Sequence, residues 1–209
     1  LSDIAAIQVN ILNVNDVTID DVKLFDDSAL GYPGTLSTVG GQRLNITGTN
    51  FGIKWMGDAT LEPTITVTYG RLDSLEWFVA ANCAIESAGT KNTVILCDSV
   101  HGYGANHMWR VQVTTNGVKE GDSTSKTPVV TSYFAPSITA VGASINPTET
   151  THALDTEGSQ EITLTGNNFG PEDLVLEGYY GSGGAGGWHC AANCRVTVKD
   201  TQAVCHTRS

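Results

Sequence analysis

The chain has 209 residues, of which 22 are acidic and 11 basic, giving a formal net charge of −11; 40% are hydrophobic and only 16% charged. That length can hold two domains of about 100 residues each, and the composition suits an ordered β-protein rather than a solvated tail. An acidic chain with Lys and Arg scattered singly argues against nucleic acid as a partner, and no apolar run approaches the ~20 residues of a bilayer span, so no membrane insertion is expected.

In chain order, residues 1–15 come first. The chain opens at Leu1 without an initiator Met or a signal-peptide pattern, which reads as a processed or excised piece. Ala5, Ile7, Val9 and Ile11 alternate with Ala6, Gln8 and Asn10, a strand pattern that leads directly into Val17-Thr18-Ile19. Asn13-Val14-Asn15-Asp16-Val17 resembles the calcium-binding end of a cadherin repeat, and the nearby Asp20, Asp21, Asp26 and Asp27 could offer hard oxygen ligands, but none of the cadherin glutamate motifs is present and a solvated acidic loop is the preferred reading, so no metal is assigned. Further on, Leu44 and Ile46 alternate with Arg43, Asn45 and Thr47; Ile65, Val67 and Tyr69 alternate with threonines; Val111 and Val113 flank Gln112. These are half-buried antiparallel strands, separated by Gly, Asn and Pro, with no helical period, and they indicate a β-sandwich.

The chain also repeats itself. Gly41-Gln-Arg-Leu-Asn-Ile-Thr-Gly-Thr-Asn-Phe-Gly52 returns as Ser159-Gln-Glu-Ile-Thr-Leu-Thr-Gly-Asn-Asn-Phe-Gly170. Trp77-Phe-Val-Ala-Ala-Asn-Cys83 returns as Trp188-His-Cys-Ala-Ala-Asn-Cys194, and Val94-Ile-Leu-Cys97 matches Gln202-Ala-Val-Cys205 in position. Three blocks in one order define two copies of one unit.

The Thr-Gly-x-Asn-Phe-Gly element, the Cys pair, Gly102-Tyr-Gly104 and the alternating Trp109–Val113 run resemble the IPT/TIG family, an immunoglobulin-like fold. The resemblance implies an all-β chain of two tandem immunoglobulin-like sandwiches, with Phe51 and Phe169 plugging the sandwich ends. The divisions it implies are an N-terminal strand at 1–15, a first domain at 16–134 and a second at 135–209. The first copy continues past Cys97 with strands at Met108–Thr115 and Val129–Phe134; past Cys205 the second has only His206–Ser209, so it is expected to lack its final one or two strands. Losing cover over three or four aliphatic side chains would forfeit roughly 5–10 kcal/mol. By position, residues 1–15 correspond to Val129–Phe134, since both lead into the opening strand of a copy. The chain therefore resembles a donor-strand-exchange, pilus-type subunit: Ile7, Val9 and Ile11 of one molecule would fill the groove of another, giving a head-to-tail homopolymer outside the cell or on its surface. The alternative is a ligand-binding fragment of a larger multi-TIG receptor or adhesin.

Residues suited to carry chemistry are few. Cys83 with Cys97, and Cys194 with Cys205, hold equivalent places in the repeat with thirteen and ten residues between them, which suits local disulfides and an oxidising compartment. Cys190 aligns with Val79 and has no partner in the repeat; it is expected to be buried. His189, Cys190, Cys194, Cys205 and His206 lack a zinc-finger or zinc-ribbon spacing. His101, His107, Asp98 and Ser99 lack a nucleophile-elbow context, so no catalytic residue, enzyme activity or cofactor is assigned. Asn45-Ile-Thr47 is a glycosylation sequon on a residue expected to face solvent. Glycans are also a conceivable ligand class; an exposed aromatic platform at Trp55, Trp77 or Trp109 would favour them, and buried tryptophans would favour core packing.

Overall fold

A computed structural model describes residues 17–24, 34–52, 63–74, 76–86, 93–115, 118–124, 129–143, 154, 156–181 and 187–208. The first copy of the repeat supplies β1 (Thr18–Leu24), β2 (Thr35–Leu36), β3 (Arg43–Thr49), β4 (Thr64–Gly70), β5 (Trp77–Val79), β6 (Ala81–Ile85), β7 (Val94–Asp98), β8 (His107–Thr115), β9 (Val118–Thr124) and β10 (Val130–Tyr133). The second supplies β11 (Ser137–Ala143), β12 (Glu161–Asn167), β13 (Tyr179–Gly181), β14 (Trp188–Cys190), β15 (Ala192–Val198) and β16 (Gln202–His206). Among the described residues there is no helix, and the fold is all-β with several sheets, compatible with a β-sandwich.

In the first copy one sheet runs β1-β3-β7-β6 and the other β2-β10-β8-β4-β5, with β9 on the edge of β8. The alternation seen in the sequence becomes the inner face of both. Ile19, Val22, Leu44, Ile46 and Ile95 from the first sheet meet Val67, Tyr69, Trp109, Val111 and Tyr133 from the second in one buried cluster. Trp109 stacks on Tyr69 with ring centroids 4.3 Å apart and donates its indole N–H to Thr131 Oγ1 at 3.1 Å, so its polar edge is satisfied inside the core.

The second copy rebuilds the first sheet in the same register. Ile19 lies opposite Gly48 and Val22 opposite Ile46; Ile138 lies opposite Gly166 and Val141 opposite Leu164. Both pairs carry the same irregularity, between Ile19 and Asp21 and between Ile138 and Ala140. The shared Thr-Gly-x-Asn-Phe-Gly element explains itself here. A Cβ on Gly48 would sit 2.0 Å from the Thr18 carbonyl oxygen and 2.6 Å from the Phe51 ring; on Gly166 it would sit 1.9 Å from the Ser137 oxygen and 2.7 Å from the Phe169 ring. Only a residue without a side chain lets the Phe fold back over the strand, and both rings are buried.

The order β11-β12-β16-β15 matches the first copy's sheet. Of the opposing sheet, only the hairpin β13-β14 is present among the described residues. Its pairing (Tyr179 with Cys190, Tyr180 with His189, Gly181 with Trp188) repeats Thr68 with Val79, Tyr69 with Phe78 and Gly70 with Trp77. No described strand stands where β8 stands in the first copy.

The two copies touch directly. Thr38 Oγ1 donates to Asn168 Oδ1 at 3.3 Å, and His101 Nε2 lies 3.2 Å from Asp200 Oδ2.

Candidate strand-acceptor groove

An open hollow of about 400 Å³ lies between the β11-β12 face and β13, lined mostly by apolar groups that include Ile138, Val141, Leu154, Leu164, Phe169 and Tyr180. Its origin is visible by comparing equivalent residues. Ile19 is 2% exposed but Ile138 is 58%; Val22 is 5% exposed but Val141 is 49%. In the first copy β8 and β9 lie against β1, and Ile19 and Val22 share one buried cluster with Trp109, Val111 and Val113 of β8. Returning the second pair to the first pair's burial would be worth about 1.5–3 kcal/mol, taking 1.5–3 kcal/mol per fully buried aliphatic side chain. That is below the 5–10 kcal/mol expected from the sequence, because Ile162 remains buried and Leu164 half-buried even in the open groove.

Among the described residues, one edge of the β13-β14 sheet is left without a pairing strand as well. β13 pairs with β14 on one side and with no described strand on the other. In the first copy the equivalent strand, β4, uses that second edge to pair with β8 from Thr64↔Thr114 to Gly70↔Met108. An extended chain entering the hollow would meet a sheet edge ready to bond and an apolar floor beneath it.

A tyrosine clamp closes one end of each copy. The Val100 N–H donates to Tyr69 Oη at 3.0 Å, the two phenols of Tyr69 and Tyr133 are 2.7 Å apart, and Tyr133 donates to the Val100 carbonyl at 2.7 Å. Burial, with the Tyr69 hydrogen bond added, pushes the Tyr133 phenol far above its ordinary range. In the second copy the Arg208 N–H donates to Tyr180 Oη at 3.0 Å, and Tyr180 donates back to the Arg208 carbonyl at 3.0 Å. The repeat blocks did not reveal this pair, yet a signal was there: Tyr-Gly is followed after six intervening residues by Trp in both copies, at Tyr69-Gly70…Trp77 and Tyr180-Gly181…Trp188.

The structure joins Cys83 to Cys97 across β6 and β7, and Cys194 to Cys205 across β15 and β16. Two disulfides suit an oxidising, non-cytoplasmic environment. Two expectations need correction. Cys190 is exposed, not buried, because β14, like β5, lies at the end of its sheet; its counterpart Val79 is itself 58% exposed. Asn45, expected to face solvent, is only half-exposed and its Oδ1 is buried, because β3 is an interior strand flanked by Lys23 and Leu96.

The other singled-out residues are dispersed. Asp98 accepts from Arg43 and Asn82, Ser99 Oγ accepts from the Gln42 N–H, His101 reaches Asp200, and His107 packs inside with its Nε2 2.9 Å from the Tyr103 carbonyl. They form no triad. Among the described residues no group of three or more His, Cys, Asp or Glu side chains could hold a metal ion. Trp109 is core, and Trp77 is half-buried with the Arg110 guanidinium 4.9 Å above its ring; among the described tryptophans Trp188 is the exposed one, at 66%. A second hollow, lined by Arg71, Asp73, Glu76, Tyr103 and His107, has its acids tied internally, Asp73 to Arg71 and Glu76 to the Tyr103 hydroxyl. Ile7, Val9, Ile11, Asp16, Asp26, Asp27 and Trp55 lie outside the described residues.

No family model, curated protein or solved structure matches the chain.

Proposed function

We propose that the protein is a structural subunit of an extracellular filament, built from two immunoglobulin-like sandwiches of the IPT/TIG type, and that it assembles by β-strand addition rather than performing catalysis. Residues 1–15 of one molecule, through Ile7, Val9 and Ile11, complete the second sandwich of another. The observation that carries this reading is the exposure of Ile138 and Val141 beside the open edge of β13, where the equivalent Ile19 and Val22 are covered. The segment Ile4–Asn15 contains no charged residue, and Ile7–Ile11 within it alternates with period two, as an occupant of an apolar groove beside a sheet edge should. Donor and acceptor sit on different parts of the chain, so the contact is heterologous and propagates unless it closes into a ring.

The test is removal of residues 1–15. Light scattering and electron microscopy should then show unassembled protein under conditions in which the full chain forms filaments. Equal polymerisation by both would overturn the proposal. A full chain that stays monomeric, with its groove protected, would instead mean the groove is filled within one polypeptide.

A further inference from the structure

We infer, resting on the strand-addition reading above, that the entering strand takes the place β8 holds in the first copy, antiparallel to β13, with Ile7 opposite Tyr180, Gln8 opposite Tyr179 and Val9 opposite Gly178. Chain position alone equates residues 1–15 with Val129–Phe134, which would put the strand in the place of β10. The exposed residues point elsewhere. Ile138 and Val141 are the counterparts of Ile19 and Val22 on β1, and β1 is approached by β8 and β9, whereas β10 packs beside β2 and β8. A strand in the β10 place would leave the floor of the groove uncovered.

The register follows from the shared hairpin. Because β13-β14 repeats β4-β5 residue for residue, the first-copy pairs Tyr69↔Trp109, Thr68↔Arg110 and Val67↔Val111 transfer to Tyr180, Tyr179 and Gly178. In β8, Trp109, Val111 and Val113 are buried while Arg110 is exposed and Gln112 half-exposed. Ile7-Gln8-Val9-Asn10-Ile11 repeats that order of apolar and polar residues. A slip of one residue would turn Gln8 and Asn10 into the apolar groove, so the alignment is strongly specified. On the outer face Gln8 would then reach Trp188 as Arg110 reaches Trp77, covering a ring that is 66% exposed.

Directly opposite residues on neighbouring strands have Cβ atoms about 4.5–5.5 Å apart, close enough for a cysteine pair to be trapped. The experiment mixes two full-length chains, both carrying Cys190→Ser, one with Gln8→Cys and the other with Tyr179→Cys, so that only a contact between molecules can give the product. Under mild oxidation the mixture should yield a covalent dimer on a non-reducing gel, at least about ten-fold more than two mixtures shifted by two residues in opposite directions, Gln8→Cys with Glu177→Cys and Asn10→Cys with Tyr179→Cys. Filaments whose shifted pairs cross-link as well or better would overturn the register and leave strand addition standing. Filaments in which none of the three pairs links would overturn the β8 placement. Absence of both filaments and cross-links would bring down the strand-addition reading itself.

Discussion

Ile19 and Ile138 occupy the same register position in the two copies, opposite Gly48 and Gly166, so truncating each to Ala is a controlled comparison of a closed and an open core. Ile19 is 2% exposed, and Ile19→Ala should cost the usual 2–5 kcal/mol of a buried Ile→Ala change, transfer loss plus an unfilled cavity. Ile138 is 58% exposed; its three lost carbons are worth about 0.8 kcal/mol each when fully buried, so the loss is about 1 kcal/mol, and water fills the space. Urea denaturation of the unassembled protein checks this, each substitution being read on the transition of its own copy. With a slope of about 1–2 kcal/mol/M, a 3 kcal/mol loss lowers the midpoint by roughly 1.5–3 M, whereas 1 kcal/mol lowers it by 1 M or less. In assembled protein the Ile138→Ala cost should rise to that of Ile19→Ala, because an inserted strand buries the position. Equal costs in the unassembled chain would refute the reasoning, since they would require Ile138 to be covered already.

Three further outcomes follow. Burial holds the His107 imidazole below its ordinary pKa, so the folded state favours the neutral ring; the stability this confers is fully present above the unfolded value of about 6.5 and is lost as pH falls through the lower folded value. Stability curves of the wild type and His107→Asn should therefore converge as pH drops below about 6.5, and parallel curves would contradict the assignment. Cys190 should react with a maleimide in the native protein at one site per chain, with Cys83, Cys97, Cys194 and Cys205 reacting only after reduction; reduction should lower stability by about 2–4 kcal/mol per bridge, read by denaturation with and without reductant. Tyr133→Phe removes the donor to the partly buried Val100 carbonyl and should cost about 1–3 kcal/mol in thermal unfolding, more than the more exposed Tyr180→Phe.

Much of this arrangement was legible in the sequence where a local rule acts alone. Period-two alternation located β3, β4 and β8, and the repeated Thr-Gly-x-Asn-Phe-Gly block located a turn whose glycine is demanded by contact with both backbone and ring. β9 was not legible, because Val-Lys-Glu-Gly-Asp-Ser-Thr has no apolar alternation and owes its strand form to pairing along the edge of β8. Cys190 and Asn45 were misjudged for a related reason. Exposure depends on whether a strand lies at a sheet's end or in its interior, and strand order is a long-range property. The groove was foreseeable only as a missing strand; its floor and its open edge required the register of β11 against β12 and of β13 against β14.

The most direct measurement of the central claim adds a synthetic peptide of residues 1–15 to protein lacking those residues and follows amide hydrogen exchange. Strand addition predicts saturable one-to-one binding, new protection at Tyr179–Gly181 and over β11, and loss of both when Ile7, Val9 and Ile11 of the peptide are replaced by Asn. Protection that is already complete without peptide, or binding that ignores the three replacements, would contradict it.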